Sequence, residues 1–250
     1  MVEYELFIGT SGWYYDHWKN CFYPSDLQKN RWLDYYLKYF RTVEINATFY
    51  RYFKPETYRN WAVKVPDGFR FVLKVPRLIT HRKFLKDCKE DIREFEQSAN
   101  TLGVKLGLLL LQLAPQINLD LDLLRSVLDS FQDPSRVAVE IRNQTWLTNE
   151  TMLLLREYGA IFINIDSPKI RVLNRVTSET AYMRLHGSKN WYQHNYSDDE
   201  LHMFANRICE YINSGAKQVF VFFNNDFHGY APNNALRLIE LMNNFKLNNS

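Results

Sequence analysis

A chain of 250 residues with 46% hydrophobic and 24% charged residues carries enough apolar material for one large core, which excludes a disordered or fibrous protein and suits one (β/α)8 domain. Cys21, Cys88 and Cys209 are too few and too scattered for a disulfide framework or a metal knuckle, so a reducing cytoplasm is the expected location. No basic start with an apolar signal core opens the chain, the strongest apolar run, 106–113, falls well short of the roughly 20 residues of a membrane helix, and a net charge of +3 names no partner by itself.

In chain order, eight short apolar runs each carry a polar or charged group at or just past the C-terminal end: 5–9, 42–46, 70–74, 106–112, 137–142, 161–166, 181–186 and 218–224. Most are followed by stretches with apolar residues three and four apart, clearest in 87–102, 120–131, 149–158, 198–213 and 233–245, which predicts helices. Ser197 ahead of Asp198, Asp199 and Glu200 reads as an N-cap with acids in the first turn, and Gly103, Gly159 and Gly215 stand where helices should stop. Segment 167–180, with Pro168 and the alternation Lys169, Ile170, Arg171, Val172, reads as irregular or extended chain. The βα rhythm predicts an α/β fold: a single TIM-like (β/α)8 barrel over 1–250, with an irregular segment replacing the helix before the seventh strand and a polar tail from about 246.

In such a barrel the chemistry sits at the C-terminal ends of the strands, where Glu44, Asn46, Lys74, Gln112, Glu140, Arg142, Asp166, Arg184, His186 and Asn224 fall. Residues two apart in a strand share a face, so Glu44 pairs with Asn46, Glu140 with Arg142, and Arg184 with His186. Charges facing a barrel axis are costly unless they are paired or functional. Lys74, Arg142 and Arg184 suit phosphate or carboxylate groups. Glu44, Glu140 and Asp166 could bind a divalent metal ion or supply a general base beside the His186 imidazole. A purely structural ion-pair network is the alternative. A multi-zinc site is disfavoured, because only His81 and His186 lie near the strand ends and neither has a ligand spacing. No Gly-x-Ser-x-Gly elbow is present.

Between Arg51 and Lys86 stand ten Lys or Arg against Glu56 and Asp67, a block that could attract a polyanion or be ordinary solvated surface. Aromatics crowd the predicted loops: Trp13, Tyr14 and Tyr15, then Phe49 and Tyr50, then Trp146, then Trp191 and Tyr192. Rings beside cations can stack on bases or sugars. The competing reading, favoured for at least half of them, is that rings such as Trp13, Phe49 and Trp146 plug the strand ends.

Several ordered motifs carry a resemblance: Ile8-Gly9-Thr10-Ser11-Gly12-Trp13, Phe22-Tyr23-Pro24, Thr42-Val43-Glu44-Ile45-Asn46 with Thr48-Phe49-Tyr50, Thr80-His81, Val139-Glu140-Ile141-Arg142 with Trp146, Arg184-Leu185-His186-Gly187, and Phe223-Asn224-Asn225 with Asn234-Ala235. From Ile8 to about Met242 the chain resembles the YecE-like proteins, the domain of unknown function 72 family. That resemblance implies a TIM-barrel-like fold and no settled activity. The chain departs from the family pattern at Asn20, where Gly is usual, at Ala114, where Pro is usual, and at Asn143, where His is common. A proton-transfer role for that His therefore does not carry over.

The resulting expectation is a cytoplasmic barrel, without membrane attachment, whose strand ends bind an anionic, phosphate-bearing ligand, nucleic acid or nucleotide. Metal-assisted phosphoester hydrolysis is its enzymatic form. Glu44, Glu140 and His186 are the expected catalytic groups, with Glu44, Glu140 and Asp166 as metal ligands. Asn46, Lys74, Gln112, Arg142, Arg184, Asn224, Trp13, Tyr50, Trp146 and Trp191 would contact the ligand. A sugar or sugar-phosphate isomerase or lyase, and a non-catalytic nucleic-acid-binding protein, are the alternatives.

Overall fold

Nine strands run through residues 4–248, which the computed structural model describes: β1 (Glu5–Thr10), β2 (Thr42–Ile45), β3 (Arg70–Lys74), β4 (Leu106–Gln112), β5 (Val137–Glu140), β6 (Ile161–Asp166), β7 (Arg171–Val172), β8 (Thr180–Leu185) and β9 (Gln218–Phe223). All but β7 coincide with the predicted apolar runs to within two residues at either end. Parallel pairing of strands that alternate with helices makes this an α/β fold of the TIM-barrel-like class. The chain packs as two compact units. The first takes the residues up to Val43, Asn164–Asn174 and those from Thr180 onward, and the second takes Glu44–Ile163 with Arg175–Glu179.

In the first unit, β9 lies between β1 and β8 in parallel, with Glu5 and Thr180 both opposite Gln218 and the register unbroken to Phe223. A strand covered on both faces has no polar side to present, which is why β9 reads Gln-Val-Phe-Val-Phe-Phe with all but its first residue buried. Phe7 stacks on Phe220 at 4.6 Å. Gly9 has a specific reason to be glycine: a Cβ there would lie 2.5 Å from the Thr42 carbonyl oxygen. Asp198–Asn213 forms the helix expected, opened by a complete capping box between Ser197 and Glu200. Gly215 follows it with φ +99°, the left-handed turn that ends a helix.

In the second unit, β3, β4, β5 and the start of β6 run parallel in that order. Helices occupy Pro55–Lys64, Lys89–Ala99, Leu121–Leu128 and Asn149–Glu157. The predicted helices 87–102 and 120–131 prove shorter, because their last residues turn into 3-10 or bent chain. Pro55–Lys64 was not among the predicted helices: it buries only Tyr58, so it shows little apolar periodicity. No helix occurs between β6 and β8 among the described residues, as the sequence implied. In that segment β7 turns back antiparallel on the end of β6, pairing Asp166 with Arg171. The expected polar tail is helical as far as Asn248, and 249–250 lie outside the described residues.

Candidate functional site

The strand ends of the second unit gather a charged group around Glu140. Register places Gln112, the last residue of β4, opposite Glu140, the last of β5. Gln112 Nε2 donates to Glu140 Oε1 at 2.8 Å, and Arg142 Nε donates to the same oxygen. Glu140 is fully buried while the Arg142 side chain keeps 14% of its surface exposed. The same-face pairing of 140 and 142 is thus a direct ion pair, the form a buried carboxylate requires.

At the end of β3, Lys74 Nζ stands 4.1 Å from the centre of the Phe49 ring, against which the His81 imidazole and the Tyr50 ring also stand edge-on, at 5.0 and 5.1 Å. His81 Nδ1 lies 2.8 Å from Thr80 Oγ1. Burial, followed by the fields of Lys74, Arg77 and Arg142, lowers the His81 pKa to about 4, against an opposing pull from Glu140. His81 is consequently neutral at pH 7 and can donate or accept a hydrogen bond without adding charge. Glu44 is fully buried. Asn46 Oδ1, just past β2, is buried without a hydrogen bond among the described residues.

Two aromatic expectations separate here. Trp146 is fully buried and its Nε1 donates to the Ile117 carbonyl at 2.8 Å, so it packs the strand ends rather than meeting a ligand. Tyr50 is 71% exposed and open to one. Asn143 does structural work. Its Oδ1 accepts from the Thr145 N–H and hydroxyl, both at 3.0 Å, starting the 3-10 turn Gln144–Trp146. Its Nδ2 donates to Pro115 O and Asn118 Oδ1.

In the first unit, Arg184 and His186 are buried side by side, Arg184 Nη1 lying 3.4 Å from His186 Nε2. Asn224, just past β9, bonds Nδ1 of the same ring at 3.1 Å. Trp191 and Tyr192 stand against the imidazole at 5.4 and 5.9 Å. Tyr192 adopts φ +63° and donates its N–H to the His186 carbonyl at 2.7 Å. Gly187 makes the tight turn between them possible, since a Cβ there would meet Asn190 O at 2.5 Å. Trp13 is half-buried, and its carbonyl accepts from the Tyr23 hydroxyl.

Asp166, expected as a metal ligand, holds this turn together. Its Oδ2 accepts from the Tyr196 hydroxyl at 2.8 Å, and that hydroxyl accepts from the Gly187 N–H at 2.8 Å. Arg171 Nε pairs with Oδ1 at 2.8 Å. Burial raises the Asp166 pKa, opposed by the Tyr196 bond and the Arg171 charge. Among the described residues no three His, Cys, Asp or Glu side chains are grouped so as to hold a metal ion.

A further acidic group escaped the sequence reading. Asp226, in the loop after β9, accepts from Trp18 Nε1 at 2.6 Å and meets His17 Nε2 at 3.0 Å. Burial pushes its pKa up to about 6 despite both partners. Its position after Asn224 and Asn225 was the only signal available, because its partners lie 208 and 209 positions earlier.

No helix among the described residues is long and apolar enough to cross a membrane. Residues 7–249 match the family model described as "Protein of unknown function DUF72". The chain is 26% identical over 271 aligned positions to the UPF0759 protein YunF of Bacillus subtilis, covering 95% of this chain and 94% of that protein. It is 30% identical over 139 positions to the UPF0759 protein YecE of Escherichia coli, covering 55% and 48%. Among solved structures, a DUF72 family protein from Thermotoga maritima superposes with a TM-score of 0.87 at 29% identity, covering 96% of this chain and all of that one. One from Enterococcus faecalis superposes with 0.81 at 22% identity, covering 95% of each, which speaks for the fold alone.

Proposed function

The chain belongs to the DUF72 family of proteins of unknown function, and from that premise we propose that it binds a phosphate-bearing ligand, nucleotide or nucleic acid, at the strand ends of the second unit. One observation carries the reading: three cations, Lys74, Arg77 and Arg142, act on His81, their fields adding to the burial that chiefly lowers its pKa and outweighing the opposing pull of Glu140. The part of that shift due to the three cations is the part that would attract an anion. Lys74 and Arg142 would hold the phosphate oxygens, Arg142 offering more than one N–H and Lys74 a point charge. Neutral His81 would contribute a hydrogen bond, and Gln112 would keep Glu140 turned toward Arg142. Hydrolysis would draw on Glu140 as base or as ligand to a divalent ion brought with the phosphate. Its test is magnesium-dependent phosphate release in the wild type and loss of that release in Glu140→Gln.

The binding reading is tested by NMR titration of the His81 ring at low salt, alone and with inorganic phosphate or a nucleoside monophosphate. A bound dianion cancels part of the positive field, so the His81 pKa should climb from about 4 toward the ordinary histidine value of about 6.5. Lys74→Met should raise it without ligand and remove most of the ligand effect. A titration that no millimolar phosphate compound alters would refute the reading.

A further inference from the structure

The segment after β3 is unlike any other among the described residues. Leu78–Arg82 is a wide, π-type turn. It is followed by three non-glycine residues in the left-handed region within four positions: Phe84 (φ 49°), Leu85 (φ 69°) and Asp87 (φ 46°). Bulky side chains resist this conformation, so it persists only because the surroundings enforce it. The enforcement is visible. Lys83 N–H bonds the Leu78 carbonyl at 2.8 Å and Leu85 N–H the Ile79 carbonyl at 2.9 Å. Lys83 Nζ then ties the Asp87 carbonyl to the Asp91 carboxylate at 3.0 and 2.6 Å.

The result is a side chain turned each way. Leu85 is 2% exposed, whereas its neighbour Phe84 stands 39% exposed, with no ring partner for Phe84 among the described residues. Around it in the sequence, Arg77, Arg82, Lys83, Lys86 and Lys89 face a single acid, Asp87, and all of these cations but Lys83 are exposed. The Lys83 charge is met by Asp91, and the exposed Glu90 by Arg93. Arg77 belongs both to this ledge and to the field on His81, so the positive charge at the proposed phosphate site continues along the chain to Phe84.

We infer that this ledge is a track for a single-stranded nucleic acid, with Arg82 and Lys86 on its phosphates and a base stacked on Phe84. The inference rests on the phosphate reading of the preceding section and makes its ligand a polymer rather than a free nucleotide. Charge complementarity selects a polyanion, and a lone ring held out among cations is the element that single-strand binders add to a basic groove. A duplex keeps its base faces stacked and hidden. An anionic membrane would meet the same charge, but a single exposed ring offers it little apolar surface.

The test is fluorescence-anisotropy binding of a labelled single-stranded 12-nucleotide oligomer by the full chain across a salt series, with the duplex of the same sequence and anionic lipid vesicles as comparisons. Phe84→Ala should weaken single-strand binding roughly tenfold, within the range that aromatic stacking supplies, while leaving the response of His81 to a nucleoside monophosphate unchanged. Arg82→Ala with Lys86→Ala should lower the magnitude of the salt slope by about 1.4, the release expected for two single-strand phosphate contacts. Single-strand binding with these dependences supports the ledge even if no phosphate compound moves His81, in which case the phosphate reading alone falls. Oligomer binding indifferent to Phe84, Arg82 and Lys86 overturns the ledge and leaves the phosphate reading intact. Binding to vesicles that depends on Phe84, without single-strand binding, overturns it in favour of a membrane surface.

Discussion

Asp226 should make the stability of this protein depend on pH in a direction opposite to that of most carboxylates. Its side chain is 17% exposed, and its pKa is raised from 3.8 to about 6, with burial outweighing the bonds from Trp18 and His17. A carboxyl raised in the folded state favours folding in its neutral form. That contribution is fully present below the unfolded value near 3.8 and is lost as the pH climbs through 6. A rise of about 2 units at 1.36 kcal/mol each corresponds to about 3 kcal/mol, or about 2 kcal/mol after allowance for partial exposure and for His17 beside it. Asp226→Asn keeps an oxygen for Trp18 Nε1 and cannot ionise. Urea denaturation of both proteins at intervals from pH 4 to 7.5 should therefore show the variant gaining up to about 2 kcal/mol on the wild type over that range. The difference between the two curves is the quantity to read. His81, lowered to about 4, has the opposite sign: its contribution is present above about 6.5 and lost as the pH falls. It acts equally in both proteins and cancels. A stability difference constant from pH 4 to 7.5 would refute the account of Asp226.

Gly9→Ala places a methyl group 2.5 Å from a backbone carbonyl, Thr42 O, which cannot rotate away as a side chain would; a loss of about 2 kcal/mol or more is expected by chemical denaturation. Glu140→Ala leaves the largely buried Arg142 without its carboxylate and should cost about 3–5 kcal/mol, read as a lowered urea midpoint. Glu140→Gln, which keeps an oxygen for Arg142 and Gln112, should lose markedly less and is the variant suited to activity measurements.

Local signals were legible wherever the physics is local. The helix Asp198–Asn213 was readable to the residue because Ser197 and Glu200 cap one end and Gly215 permits the left-handed turn past the other. The buried strands announced themselves as apolar runs because strands covered on both faces carry no polar alternation. Pro55–Lys64 stayed hidden because a helix that buries one residue leaves no periodic trace. The i, i+2 rule correctly anticipated that Glu140 and Arg142 share a face, but composition could not tell that they pair with each other.

The aromatic residues show where sequence reasoning ends. Trp146 and Tyr50 look alike as loop rings, yet one is sealed in the core and the other is 71% exposed, a difference made by the chain that covers them. Asn143 read only as a departure from the resembled pattern, and its four hydrogen bonds show that the position serves a turn. The sequence by itself determined the βα rhythm, the strands and the polar groups at their ends, because periodicity, capping and strand parity act over a few residues. The tertiary structure alone decided which of those groups are paired, buried or shifted in pKa. Arg142 acts on His81 from 61 positions away along the chain, and His17 meets Asp226 across 209. Electrostatic fields and desolvation depend on distance in space, which strand register and packing set and sequence separation does not.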